Sequence, residues 1–159
     1  MSTRHIIAID QGTTNTKAIL VDGSGTVIAK ASAPLKSHYP RPGWAEQSAD
    51  DIWASVQMVI AEIHNATTVD VDGIAIANQR ETLVVWDVTT GQPIAPAILW
   101  QCRRTATACA QLIRDGANPA VTKSTGLSIN ALFPASKLAW VMENIAGAKS
   151  LAAGGQLRA

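Results

Sequence analysis

At the start of the chain, apolar residues come in short runs separated by polar turns, as in "IIAIDQGTTNTKAILVD", and the runs are too short for helices. Residues 6–9, 16–21 and 26–33 read as three strands. The last two are joined by Asp22-Gly23-Ser24-Gly25, which predicts an antiparallel meander. The two glycines of that turn do not fit G-x-G-x-x-G, so a turn is the better reading than a nucleotide loop. A Pro/Gly/Trp loop, "SHYPRPGWAEQSAD", ends near Ser48, whose hydroxyl is placed to cap a helix with Asp51 three residues on. Ile52, Val56, Val59, Ile60 and Ile63 then share one stripe, the spacing of a helix packed on a sheet, closing near His64-Asn65. "VDGIAIANQ" follows as a strand, and its nearly continuous apolar character predicts a buried parallel position rather than a sheet edge.

Beyond it, "ETLVVWDVTTGQPIAPAILW" predicts a second hairpin around Thr89-Thr90-Gly91, with Pro93 and Pro96 limiting the regularity of its return strand. Two helices are expected, at about 104–114 and 134–145. In the second, Leu138, Val141, Met142 and Ile145 form the apolar stripe and Pro134 suits the first helical position. The end, "GAKSLAAGGQLRA", has no clear periodicity. The order βββαβ, then a hairpin and helices, predicts an α/β domain with a mixed sheet.

Composition narrows the classes of function. With 159 residues, 47% hydrophobic and 16% charged, the chain has enough apolar material for a real core. A net charge of +1 gives no excess of Lys and Arg for nucleic acid or a membrane surface, so a small-molecule partner is expected. The apolar run of the amino terminus is too short for a secretion signal, and no stretch approaches the ~18 apolar residues of a membrane span. A cytoplasmic location is expected. Cys102 and Cys109 lie outside common zinc spacings and read as core thiols, and His5, His38 and His64 are scattered.

Residues 10–17 are too long and too polar for a plain hairpin turn. Glycine-freed backbone N–H groups, threonine hydroxyls and the Lys17 ammonium all favour an anion, phosphate first. The sequence does not fit G-x-x-x-x-G-K-[ST]: no second glycine precedes Lys17, and Ala18 follows it. Asn78-Gln79-Arg80-Glu81 follows a strand, where ligands bind in open α/β sheets. Arg80 and Glu81 have the donors and acceptors to hold neighbouring hydroxyls, although charge type alone fits a solvated surface pair better. Trp100-Gln101-Cys102-Arg103-Arg104 ends the next apolar run with an indole face, an amide and two guanidinium groups. Together the two clusters read as one small-molecule pocket.

These stretches, with "GWAEQSADDIW", "IAIANQRETLVVWDVTTGQPIAPAILWQCRRT" and "STGLSINALFPASKLAWVMEN", resemble the amino-terminal part of the FGGY carbohydrate kinases, and within them the branch that phosphorylates glycerol. The resemblance spans about residues 5–145. It implies a ribonuclease-H-like fold of the actin and hexokinase type, a mixed sheet with flanking helices. It also implies ATP- and Mg²⁺-dependent phosphoryl transfer to a hydroxyl of a small polyol. By resemblance, Gly12, Thr13, Thr14 and Asn15 border the ATP phosphates, Lys17 faces them, and Asp10 holds Mg²⁺ through water. Arg80, Glu81 and Trp100 carry over to the polyol. Leu132 stands where glycerol-phosphorylating members place a tyrosine whose hydroxyl contacts the substrate, which opens the alternative of another polyol or sugar. The family's general base, an aspartate, and its second domain lie beyond residue 159. Residues 1–159 are therefore expected to be the amino-terminal part of the first domain, inactive in isolation and self-associating as a homo-oligomer through uncovered strand edges. A non-catalytic phosphate- or nucleotide-binding module is the remaining alternative.

Overall fold

The computed structural model describes residues 4–159. In chain order the elements are β1 (His5–Gln11), β2 (Asn15–Asp22), β3 (Val27–Pro34), β4 (Glu46–Gln47), α1 (Ala49–Ala66), β5 (Gly73–Asn78), β6 (Trp86–Asp87), β7 (Ala97–Ile98), α2 (Ala106–Arg114), α3 (Asn118–Thr125), α4 (Pro134–Asn144), α5 (Ala148–Ala153) and β8 (Leu157–Arg158). They divide between two compact units. One holds the chain up to Ser37 with Ser48–Gln79, the other His38–Gln47 with Arg80–Ala159.

The first unit is built on the predicted meander. Its sheet has the order β3-β2-β1-β5, antiparallel except for the parallel pair β1 and β5. Alternation sends Ile7, Ile9, Ala18, Leu20, Ala31 and Ala33 to one face, where they meet Val56, Val59 and Ile63 of α1. The β2–β3 turn closes as expected: Gly25 N–H donates to the Asp22 carbonyl, and one Asp22 carboxylate oxygen accepts from the Ser24 hydroxyl and the N–H groups of Ser24 and Thr26. These bonds favour the ionised carboxylate, the Ser24 hydroxyl most, and hold Asp22 below the usual carboxylate range. Ser48 caps α1 by accepting from the Asp51 N–H at 3.1 Å, and the helix continues to Ala66, slightly beyond its expected end. Within this core Thr16 and Ser55 bond each other at 2.6 Å, so the polar residues of strand and helix satisfy one another.

One strand departs from expectation. β5 does pair in parallel with β1, but it is the sheet's edge and is exposed along its length, with Ile74 at 51% and Ile76 at 58% of full exposure. The sheet order ends there, and α1 lies over β3, β2 and β1. An apolar run records a need for cover but not which element supplies it.

The second unit gathers Ala45, Leu83, Val85, Ile98, Leu99, Cys102, Val141 and Ala148 into its own core. The turn at Thr89–Gly91 forms, with Gly91 N–H bonded to the Asp87 carbonyl. The hairpin behind it is only partial. Its arms meet at the single bridges Trp86–Pro93 and Leu83–Ile98, while β6 pairs with β8 and β7 with β4. Pro93 and Pro96 cannot donate to a continuous ladder, so short segments from elsewhere in the chain take the free edges. The terminal stretch without periodicity thus contributes α5 and the ladder strand β8. A third unexpected element is α3, which opens with Pro119 and closes on Gly126 at φ 75°. α2 and α4 lie where the spacing predicts them, and Cys102 and Cys109 are buried free thiols.

Ile63 is fully buried between helix and sheet, so Ile63→Ala should lower the unfolding free energy by about 2–5 kcal/mol. Urea denaturation followed by far-UV circular dichroism measures this, with an unchanged slope expected if the sheet stays intact.

Candidate functional sites

The loop between β1 and β2 is held tightly at its base. Gly12 N–H donates to the Asn15 carbonyl at 3.0 Å, and a Cβ added at Gly12 would lie 3.0 Å from that same oxygen. Only glycine leaves this turn undisturbed. Leu35 N–H fastens the other flank by donating to the Thr14 carbonyl at 2.8 Å. Gln79, just past β5, completes the support. Its N–H donates to the Gln11 carbonyl at 2.8 Å, its side-chain amide donates to the Gln11 side chain, and its side-chain oxygen accepts from Thr13. Asp10 and Lys17 are directly opposite each other in the β1–β2 register, both exposed. The strands therefore present a carboxylate and an ammonium side by side next to a turn lined by Gly12, Thr13, Thr14 and Asn15.

Of the Asn78–Glu81 cluster, Gln79 belongs to that loop, while Arg80 and Glu81 open the second unit. Glu81 has φ 65°, the one described non-glycine residue in the left-handed region, a conformation that costs about 1 kcal/mol or more. Two residues on, the Leu83–Ile98 bridge ties this segment to β7, and Trp100 N–H donates to the Thr82 hydroxyl at 3.2 Å. Trp100 is 42% exposed. Leu132 is partly buried, its N–H bonded to the Asn130 side chain at 2.9 Å. The Lys137 ammonium joins these segments, donating to the carbonyls of Glu81 and Leu132, each at 2.6 Å. Beside Glu81 opens a largely apolar cavity of about 440 Å³, walled by Leu112, Val121, Ile129, Phe133 and Ala139 among others.

Arg104 does not join this cluster, which corrects the reading of Trp100–Arg104 as one set of pocket groups. Its side chain is 2% exposed, ion-paired with Glu46 and set over the rings of Trp44 (3.9 Å) and Trp140 (4.6 Å), which themselves meet edge to face at 5.2 Å. Indole faces and a carboxylate together replace the water this cation has lost. It is the only ion pair among the described residues.

Sequence reading missed Lys137 and the role of Glu46. A signal for Lys137 was available: it lies one helical turn before the buried Val141, on the face that α4 turns inward, where a lysine is rarely found unless its ammonium is paired. Burial pushes the Lys137 ammonium below its ordinary pKa, while the nearby Cys102 and Glu81 pull it back up. No group of three or more His, Cys, Asp and Glu side chains gathers in a metal-binding arrangement among the described residues, so a metal near Asp10 would need oxygens from a ligand or water. No described helix is long and apolar enough to cross a membrane.

Residues 5–153 match the family model described as the FGGY family of carbohydrate kinases, N-terminal domain. Glycerol kinase of Carboxydothermus hydrogenoformans is 42% identical over 99% of this chain, and glycerol kinase of Rhodopirellula baltica is 44% identical over 99%. The chain spans about a third of their length, 32% and 30%. The crystal structure of Plasmodium falciparum glycerol kinase with ADP superposes with a TM-score of 0.91 at 28% identity, covering 98% of this chain and 32% of that one. The mixed α/β sheet with flanking helices is thus the actin/hexokinase-like fold of the sugar kinases, as expected.

Removing one partner of the Arg104–Glu46 pair leaves a buried charge without its counter-ion. Glu46→Ala should cost about 3–5 kcal/mol of stability. Calorimetry should show Glu46→Ala melting well below the double variant Glu46→Ala/Arg104→Met if the penalty comes from the stranded guanidinium.

Proposed function

The chain belongs to the FGGY family of carbohydrate kinases, and from that premise we propose that it serves ATP-dependent transfer of a phosphoryl group to a hydroxyl of a small polyol, glycerol to glycerol 3-phosphate. On this reading residues 1–159 form the amino-terminal part of the kinase's first domain and work in the cytoplasm. The observation that carries the proposal is the β1–β2 loop, a turn closed by Gly12 N–H on the Asn15 carbonyl with Asp10 and Lys17 exposed on one rung beside it.

In the transfer, a polyol hydroxyl oxygen forms a bond to the γ-phosphorus as the bond to the β-phosphate bridging oxygen breaks. ADP leaves, and the hydroxyl proton passes to the family's aspartate base, which the resemblance places outside this chain. Such a reaction depends on position and on neutralised charge more than on covalent help from the protein. Gly12, Thr13, Thr14 and Asn15 would border the phosphates, with Gly12 allowing close backbone approach. Lys17 would place its ammonium toward the phosphate oxygens. Asp10, with no cationic side chain in ion-pair contact among the described residues, fits a water-mediated hold on Mg²⁺. When bound, Mg²⁺ supplies positive charge to the phosphate oxygens. Arg80 and Glu81 would take the polyol hydroxyls, and Trp100 would pack its exposed ring against the C–H face.

One observation favours a second acceptor. Leu132 is partly buried and held through its backbone, and by resemblance it would bring an apolar side chain to the place of the family tyrosine and its hydroxyl. An acceptor with one hydroxyl fewer or differently placed would fit such a wall as well, because a site built around hydroxyls discriminates by pairing each of them.

Titration calorimetry on the 159-residue chain, with Mg·ATP and with glycerol and a panel of other polyols and sugars, separates these roles. Gly12→Val should abolish measurable ATP binding while leaving the acceptor constant within about twofold. Glu81→Ala should do the reverse, weakening acceptor binding about tenfold to 200-fold, the loss of a hydrogen bond to a charged group of ~1.5–3 kcal/mol. A Gly12→Val variant with normal ATP affinity would remove the phosphate-loop assignment. Tighter binding of another polyol than of glycerol would establish the second acceptor.

A further inference from the structure

We infer that Lys137 is a positioning residue for the acceptor site, a buried strut that sets the backbone of Glu81 and Leu132 in one geometry; this rests on the acceptor role proposed for Glu81. Lys137 is fully buried, and its Nζ donates at 2.6 Å to the Glu81 carbonyl, 56 residues away, and at 2.6 Å to the Leu132 carbonyl, five away. The two carbonyls belong to two residues assigned to the polyol, and Lys137 links them through one atom.

Packing alone does not account for a lysine here. Its neighbours on α4 are the apolar stripe of Leu138 and Val141, where an aliphatic side chain would meet no desolvation cost. The titratable groups around it are Cys102, Glu81 and Arg104, and Arg104 has Glu46 as its counter-ion. The ammonium is thus oriented mainly by carbonyl oxygens, which accept only from donors in defined directions. Meanwhile Glu81 is held at φ 65°, and a non-glycine residue keeps such a conformation only where its surroundings over-determine it. A short bond from a buried cation to its own carbonyl is such a determinant. Fixing Glu81 this way removes backbone freedom that acceptor binding would otherwise have to freeze.

The test uses the 159-residue chain. Lys137→Met keeps nearly the volume, one atom shorter, and has no donor, and Leu138→Met is a packing control on the same helix. Two readouts are followed, the Glu81 HN–Hα coupling and amide shift by NMR, which report its φ, and the glycerol dissociation constant. For Lys137→Met a changed Glu81 signature and about tenfold or weaker glycerol binding are expected, with ATP affinity within twofold of wild type and Leu138→Met normal in all three. A folded Lys137→Met with wild-type Glu81 geometry and wild-type glycerol affinity overturns the inference. Should Lys137→Met not fold, Lys137→Gln and the wild type decide. Lys137→Gln retains two shorter-reaching donors and should give an intermediate change, and in wild type the Lys137 ¹⁵Nζ resonance should shift on saturation with glycerol; no change in either overturns the inference. If the wild type binds no glycerol, or Glu81→Ala binds it normally, the acceptor reading fails, and the Glu81 coupling in the Lys137 variants still decides whether Lys137 sets that backbone.

Discussion

A charge taken out of water must be met by other polar or polarisable groups, and the unit of residues 38–47 and 80–159 is organised around two such charges. Arg104 is met by the Glu46 carboxylate and two indole faces, Lys137 by two backbone carbonyls. Each solution requires groups from separate parts of the chain to arrive together, and that requirement gives this unit much of its register. The short β4 strand carrying Glu46 pairs with β7, Arg103 N–H bonds the Gly43 carbonyl at 2.6 Å, and Trp140 reaches Arg104 from α4. Ladders of two residues would be weak on their own. Around a buried cation they have little freedom to slide.

The unit of residues up to 37 and 48–79 follows a different logic. Its strands are longer, its core is an apolar layer under α1 broken by the Thr16–Ser55 pair, and the exposed polar groups of interest lie at the end of the β1–β2 ladder. Register does the positioning there. Because Asp10 and Lys17 are paired residues in an antiparallel ladder, their Cβ atoms share one face, and no side-chain network is needed to bring them together. Gly12 then allows the connecting turn to close against the Asn15 carbonyl without the clash a side chain would bring. On the proposed function, a fixed backbone turn at one cluster and a buried ammonium at the other would meet the same demand, that groups serving phosphoryl transfer be already in place.

Much of this was legible in the chain itself. The three strands of the meander, the turn at Asp22–Gly25, the Ser48 cap, the α1 stripe, Pro134 at the start of α4 and the polar loop at 10–17 each depend on signals within a few residues of one another. Local stereochemistry and periodicity are complete at that range. The family motifs were likewise contiguous stretches, so membership of the family was identifiable without coordinates and the roles proposed for residues 10–17 and for Arg80 and Glu81 could be drawn from sequence.

What tertiary structure decided was partnership. An apolar strand such as β5 announces that it favours burial, but whether another strand or helix covers it is settled by elements elsewhere, and here it is an exposed edge. The hairpin after Glu81 had a legible turn, yet its prolines left edges that β4 and β8 took, and β8 itself had no periodicity to announce it. Arg104 looked like a ligand-facing cation and is instead enclosed, while Lys137, inside an apolar helix stripe, holds one carbonyl five residues away and one 56 residues away. A charged side chain has the same formula in both settings. Its role depends on which groups replace its lost water, and those come from segments far along the chain, where single-sequence patterns carry no information about distance in space.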